Sequence, residues 1–543
     1  MMHRLLRLAG ALILLLPCGF ARASNSCEGL RGLKISAAEI GLPTTGGVVT
    51  SARRAESSGV VFCKVLGRLK PVDPSAQDIR FEVNLPDAWN GKAVHYGGAA
   101  FDGYLVTGLS APVLGMPGAR TPLQQGYTTF GGGSGHHKHY WLLPDILNAL
   151  NSRFALNAEE RINYAHDGLK KTHDAALVVM RTLYGRAPAR TYFLGGSTGG
   201  REAYFVAQKW PADYDGVLGA YAGWNQVQLD LQFIAVSEAL YTKGSDGQSG
   251  WLPRSKTRLL AAAVMRICDA RDGVADGIIS DPDGCHFDPA TLLCADGHDH
   301  RGCLSNGQLR TVKAYANEHS TAQPLANGVQ SIPGYNILRG ADMTGTQGIL
   351  SCPLHPPLAL LNSFQYIVAD GVLRFFVTRD THFDALRFDA TTGGKYAADL
   401  LPQSLASDAS DSRLDAYKAR GGKLLLIHGE ADTTIPTGAT RQYFGMLQKR
   451  YSEAELHSFI RFYEVPGYGH GTGVFNASFD ALAVLDAWAD GGVAPAGLVV
   501  TDGNRGAHRT RPLCEYPAWP RYGGTGDVNA AASFQCVNPE ASR

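Results

Sequence analysis

Gly195-Gly196-Ser197-Thr198-Gly199 stands directly after the apolar run Thr191-Tyr192-Phe193-Leu194. A strand ending at Leu194 and a helix opening near Arg201 force a turn so sharp that only small residues can flank its serine. Such a turn lifts the Ser197 hydroxyl clear of the sheet, where a base and an ester carbon can both reach it. The pattern G-x-S-x-G occurs only here, although a glycine-rich loop that merely contains a serine would look the same.

A serine hydroxyl is a weak nucleophile until a histidine takes its proton and a carboxylate orients that histidine, so two partners are expected downstream in the order Asp, His. Lys423-Leu424-Leu425-Leu426-Ile427-His428-Gly429 reads as a buried parallel strand. It places Asp432 on the loop beyond its carboxyl end, where open α/β sheets keep their sites. Phe459 to Val465 reads as a further strand, and Pro466-Gly467-Tyr468-Gly469-His470-Gly471 as a glycine-bracketed loop holding the base. The Asp432 to His470 separation suits one helix and one strand. Asp432 as a turn or cap residue and His470 as a surface histidine are the plain alternatives; His428 and Glu430 are nearby competitors, with His428 better placed to pack or cap.

These stretches resemble the tannase and feruloyl esterase family, which includes hydrolases of mono(2-hydroxyethyl) terephthalate, over nearly the whole mature chain. The resemblance is carried by Gly126-Tyr127-Thr128-Thr129, Gly195 to Ala203, Tyr214-Asp215-Gly216-Val217, His428 to Pro436, His470, and the stretch Cys268 to Ile279 followed by Asp281-Pro282 and Cys285. It implies an α/β fold, an α/β-hydrolase core with a large inserted lid domain: residues 24–225 and 411–543 as core, 226–410 as lid. It also implies a cysteine before the serine and another after the histidine, bonded to each other. This chain has Gly196 and Gly471 there, so the two α-carbons are expected within disulfide reach, with Gly196→Cys/Gly471→Cys able to restore a link.

An oxyanion needs two N–H donors, one from Thr198 and one from the glycine- and alanine-rich segment Ala93 to Gly103, where Ala99 or Ala100 is the candidate. Asp269, Asp272 and Asp276 fall within eight residues, with Gly273 and Gly277 freeing the Val274 and Ile278 carbonyls. Hard Ca²⁺ takes such oxygens. A solvated Asp/Gly loop is the residue-level alternative, and the resemblance implies a structural calcium site.

Residues 1–23 carry basic Arg4 and Arg7, the apolar run Leu12 to Leu16 and Ala21-Arg22-Ala23, as a secretory signal does. Pro17 beside Cys18 argues against lipid attachment, so no membrane anchor is expected, and the destination is secreted or periplasmic. Cleavage removes three arginines, leaving 50 less 3 basic against 49 acidic residues, a net of −2, too balanced for nucleic-acid binding. Of the nine remaining cysteines, spacing and the family pattern suggest Cys27–Cys63, Cys268–Cys285, Cys294–Cys303 and Cys514–Cys536, with Cys352 free.

Phe364, Tyr366, Phe375, Phe376 and Phe383 cluster in sequence with Arg374 and Arg379, as a site for a ring bearing phenols or a carboxylate would; lid core is the competing account. Arg374, Phe376 and Arg379 are the candidate substrate contacts. The reading is a secreted serine esterase for small aromatic esters, gallate, hydroxycinnamate or terephthalate monoester, working through an acyl-enzyme. A non-aromatic esterase with the same triad, or a non-catalytic binder of phenolics or polymers, stands against it.

Overall fold

The computed structural model describes residues 26–137 and 149–539. The signal reading, Cys18 included, lies outside them. Among the described residues no helix is long and apolar enough to cross a membrane.

A ten-stranded mixed sheet organises the chain. Its strands, numbered along the sequence, are β1 (Lys34–Ile35), β2 (Gly47–Ser57), β3 (Val60–Leu69), β4 (Ile79–Pro86), β5 (Lys92–Tyr96), β6 (Thr128–Gly132), β7 (Arg190–Gly196), β8 (Gly216–Ala220), β9 (Lys423–Gly429) and β10 (Ile460–Val465). They lie in the order β1-β2-β3-β4-β6-β5-β7-β8-β9-β10. Pairing is antiparallel from β1 to the β4/β6 contact and parallel from β6 to β10. The N-terminal portion is therefore a hairpin-connected antiparallel run, a departure from the strand and helix alternation of the parallel portion. Short connections between consecutive strands leave no length for a crossover helix there.

Both faces of the parallel portion are covered, and the strands alternate accordingly. Leu425 and Ile427 join Leu194, Leu218, Leu482 and Leu485 on one face, whereas Leu424 and Leu426 join Phe193, Val217, Tyr204 and Leu447 on the other. The helices that bear on the site are α1 (Gly168–Tyr184), α2 (Thr198–Lys209), α3 (Gln226–Tyr241), α4 (Phe364–Val372), α5 (Thr437–Gln448), α6 (Glu453–Phe459) and α7 (Ala481–Ala489). Two helices, α5 and α6, precede β10, where one was expected; the Ser452 capping box starts a fresh helix after α5 ends.

Between β8 and β9 the chain leaves the large sheet. Its helices α3 and α4 there bury Leu231, Phe233, Ile234, Tyr366 and Val372 in a hydrophobic cluster of their own, which also takes in Phe101, Phe154 and Tyr164 from the segments beside the sheet. The four disulfides join Cys27–Cys63, Cys268–Cys285, Cys294–Cys303 and Cys514–Cys536, as the spacing suggested, and Cys352 is free and exposed.

Leu426 is fully buried between two parallel neighbours in the strand that delivers the Asp432 loop. Leu426→Ala should lower unfolding free energy by about 2–5 kcal/mol, read as a lower urea midpoint; an unchanged midpoint would show that this strand does not hold the fold.

Candidate active site

Strand β7 runs two residues past Leu194 and α2 begins at Thr198, so Ser197 alone makes the turn. It does so at φ 61°, ψ −122°, with its amide donating to the Ala220 carbonyl at 3.1 Å. The neighbouring glycines are required by contact. A Cβ on Gly195 would stand 2.1 Å from the Gly199 carbonyl oxygen, one on Gly199 2.8 Å from the Gly98 oxygen, and one on Gly200 2.6 Å from the Ala220 oxygen. Helix α2 thus crosses β7 and the loop after β5 at backbone distance.

The three residues expected to work together do meet. His470 Nε2 lies 2.9 Å from Ser197 Oγ, and His470 Nδ1 lies 2.8 Å from Asp432 Oδ2. Asp432 is fully buried, and its other oxygen accepts the Thr434 and Ile435 amides at 2.7 and 3.0 Å. Burial alone would raise this carboxyl; the His470 charge and hydrogen bonds from His428 and His470 outweigh that and hold it well below the usual range. Nδ1 of His470 therefore donates to a carboxylate, and in the neutral imidazole that leaves Nε2 as acceptor for the Ser197 hydroxyl. His428 is a support: its Nε2 donates to the Ile435 carbonyl at 3.1 Å, its Nδ1 accepts from Thr440 at 2.7 Å, and Nε2 stands 3.4 Å from Asp432 Oδ2. Glu430 is tied to Arg441 and Asn336.

The candidate oxyanion segment is clamped from below. The Gly98 amide donates to Glu202 Oε2 at 2.9 Å, Thr198 Oγ1 donates to the Ala100 carbonyl at 2.7 Å, and Ala100 turns at φ 51°. Burial and the neighbouring Asp102 push the Glu202 carboxyl up strongly, as expected when two buried acids share a proton. Thr198 is the first residue of α2, whose opening amides have no acceptor within the helix. Ala100 and Thr198 both border the cavity that contains Ser197.

That cavity is walled by Phe101 and Tyr164 from the core, by Gln226, Leu229, Asp230 and Phe233 at positions i, i+3, i+4 and i+7 of α3, and by Phe364 and Val368 of α4. A larger hollow of about 690 Å³, lined by Tyr335, Arg339 and Arg441 among others, does not include the serine, and both arginines there pair with Asp283. Of the expected substrate contacts, none borders the Ser197 cavity. Arg374 is closed by Asp370 and the Thr381 carbonyl, Arg379 is exposed, and Phe376 lies in the core with its ring 5.9 Å from that of Phe101. Phe364 was the one residue of that sequence cluster to reach the cavity, because a helix presents only one face to it. Asp230 was missed, although an acid set between Leu229 and Leu231 is its sequence signal.

Tyr221, also missed, begins the segment after β8 at φ 36°, and its amide donates to the Ile427 carbonyl at 2.7 Å. Its ring is 4.7 Å from the His470 ring. A Cβ on Gly196 would stand 2.7 Å from that ring and one on Gly471 3.4 Å from its hydroxyl, so Tyr221 fills the space between the two glycines. Paired cysteines would have to displace it, and Gly471 at φ 79° is strained for any side chain. Gly196→Cys/Gly471→Cys would therefore need Tyr221 to move before a bond could form.

The Asp269 loop keeps much of its own hydrogen bonding. Asp269 accepts the Gly277 amide at 3.0 Å, Asp272 the Ser280 amide at 2.7 Å, and Asp276 pairs with Arg511. Among the described residues, the one set of three His, Cys, Asp or Glu ligand atoms within 4.8 Å of each other is His173, Asp174 and Asp213, where Lys170 already pairs with both carboxylates.

The sequence matches the family model described as tannase and feruloyl esterase over residues 63–537. It is 36% identical over 531 residues to an uncharacterized esterase of Agrobacterium fabrum, covering 95% of this chain and 94% of that one. It is 28% identical to the mono(2-hydroxyethyl) terephthalate hydrolase of Piscinibacter sakaiensis, covering 92% and 87%. The fold matches the crystal structure of an esterase from Aspergillus oryzae with a TM-score of 0.75 at 21% identity, over 94% of this chain and 99% of that one.

Tyr221→Ala should lower kcat about 10–100-fold by loosening His470, with KM little changed, while Tyr221→Phe keeps most of the rate. An unaltered kcat in the alanine variant would show that the ring does not position the histidine.

Proposed function

The chain belongs to the tannase and feruloyl esterase family and is a carboxylic ester hydrolase, and we propose that its substrates are esters of aromatic carboxylic acids. The observation that carries this is the aromatic lining of the cavity at Ser197, with Phe101, Tyr164, Phe233 and Phe364 around one serine. The family description and the terephthalate-ester hydrolase among its relatives point to the same chemistry.

In this reading Ser197 attacks the ester carbon as His470 takes its proton, and Asp432 holds the imidazole and balances its charge. The developing oxyanion is met by the Thr198 amide and by an amide of the Ala99-Ala100 turn. His470 then returns the proton to the leaving alcohol, and water repeats the sequence on the acyl-enzyme. Residues 226–410 act as the lid domain of an α/β-hydrolase core formed by 24–225 and 411–543; the separate hydrophobic cluster and the contribution of α3 and α4 to the cavity support that division. The triad loops are held by contacts such as Tyr221, in place of a covalent link between positions 196 and 471.

The four disulfides support export, with residues 1–23 as the signal. A structural Ca²⁺ would be held by Asp269, Asp272 and Asp276 with the Val274 and Ile278 carbonyls. In favour of that fit, Gly273 and Gly277 turn at φ 103° and 84°, so that the loop wraps on itself, and burial raises the Asp272 carboxyl to about 6, a desolvation cost that a bound cation would offset. Hard oxygens at this loop would supply structure and take no part in the chemistry at Ser197.

Ser197→Ala should fold normally yet lose about three or more orders of magnitude in hydrolysis of methyl gallate, methyl ferulate and a terephthalate monoester. Retention of a tenth of the rate would overturn the nucleophile, and a fluorophosphonate that fails to label folded protein would favour a binder. For the metal, a chelator should lower the melting temperature and added Ca²⁺ restore it; identical melts in both conditions would retire the site.

A further inference from the structure

Asp230 is the single ionisable residue among the four that α3 turns toward the Ser197 cavity. It is only 3% exposed, and its Oδ2 has no hydrogen-bond partner in the protein. Among the described residues no Lys or Arg nitrogen lies within ion-pair distance of it. A buried polar atom left open costs free energy unless something satisfies it, and here the open atom belongs to a wall of the cavity that holds the nucleophile.

The other charged group bordering the cavity, Arg201, is already engaged. Arg201 is 1% exposed, its guanidinium carbon lies 4.6 Å over the Tyr164 ring, and Nη1 donates to Gln226 Oε1. The longer contacts of Nη1 to the Ser407 carbonyl and of Nη2 to the Tyr164 carbonyl, both 3.4 Å, turn the fork further into the protein. Nε and one hydrogen of Nη2 are left over, but Arg201 is buried and its charge already faces the carboxyls of Asp102, Glu202, Asp230 and Asp408.

We propose that Asp230 binds a ring hydroxyl of the acyl group, so that this enzyme prefers esters of phenolic acids to esters whose acyl ring bears a carboxylate. The inference rests on the aromatic-ester reading and deepens it. The groups facing Asp230 agree: burial and the nearby Asp408 push its carboxyl well up against the lowering effect of Arg201. A neutral carboxyl both donates and accepts, as a phenol does. A ring carboxylate would bring a further acid against Asp230, where Arg201, the one cation bordering the cavity among the described residues, already faces four acids.

The test compares kcat/KM for methyl benzoate, methyl 4-hydroxybenzoate and monomethyl terephthalate, with methyl cinnamate and methyl 4-hydroxycinnamate as the longer pair. Wild type should favour each hydroxylated ester over its parent by about 10–100-fold, because a site built to bond a hydroxyl leaves its partner unpaired without one. In Asp230→Leu that ratio should fall to within about threefold; in Asp230→Asn, which still donates and accepts, much of it should remain. The ratio cancels any shared loss of folded protein. A wild-type ratio near one, a preference for the terephthalate ester, or an undiminished ratio in Asp230→Leu would overturn the inference and leave the aromatic-ester reading standing. Turnover of 4-nitrophenyl acetate with none of the aromatic acyl esters would remove both.

Discussion

Everything at this site hangs on the backbone of Ser197, held in a region that costs a non-glycine residue roughly 1–3 kcal/mol. The strain persists because the surroundings leave no alternative. Its amide is fixed to Ala220, its carbonyl accepts from Arg201 and Gly223, and α2 is pressed against the β5 loop at distances that exclude a Cβ at Gly195 or Gly199. Relaxing the turn would therefore mean separating a helix from two strands. The hydroxyl is exposed to a base because the backbone beneath it cannot move.

The same crossing draws charge into the interior. Arg201 is one helical turn beyond the nucleophile, and its cation lowers the carboxyls of Asp102, Glu202, Asp230 and Asp408, each of which burial raises more strongly; Asp408 reaches about 7. One buried cation cannot balance four acids, which is why burial prevails at each of them. That economy explains how an acid such as Asp230 can face an aromatic cavity, and why Glu202 can be a hydrogen-bonded strut for the Gly98 amide. Asp432 is the exception: two histidines keep it ionised where the mechanism needs charge.

Linear motifs carried the candidate triad and the strand that delivers Asp432, because each depends on local chemistry: small residues at a sharp turn, an apolar run buried on both faces, glycines around a loop histidine; the four cysteine pairs came from spacing together with the family pattern. The antiparallel start was not legible, since strand pairing is a long-range choice that local pattern does not express. Arg374, Phe376 and Arg379 looked like substrate contacts because they are close in sequence. Helical geometry and short-range pairing turned them elsewhere.

The sequence by itself thus picked out Ser197, Asp432 and His470 as a candidate triad, together with the family the chain resembles. The tertiary structure decided what stands around them. Tyr221 comes between Gly196 and Gly471, and α3 sets Asp230 against Phe101, Tyr164 and Phe364, residues that lie far apart in the chain. A motif records a local backbone requirement, whereas a binding wall is made by side chains from distant segments meeting at van der Waals distance, and only the folded packing brings them there.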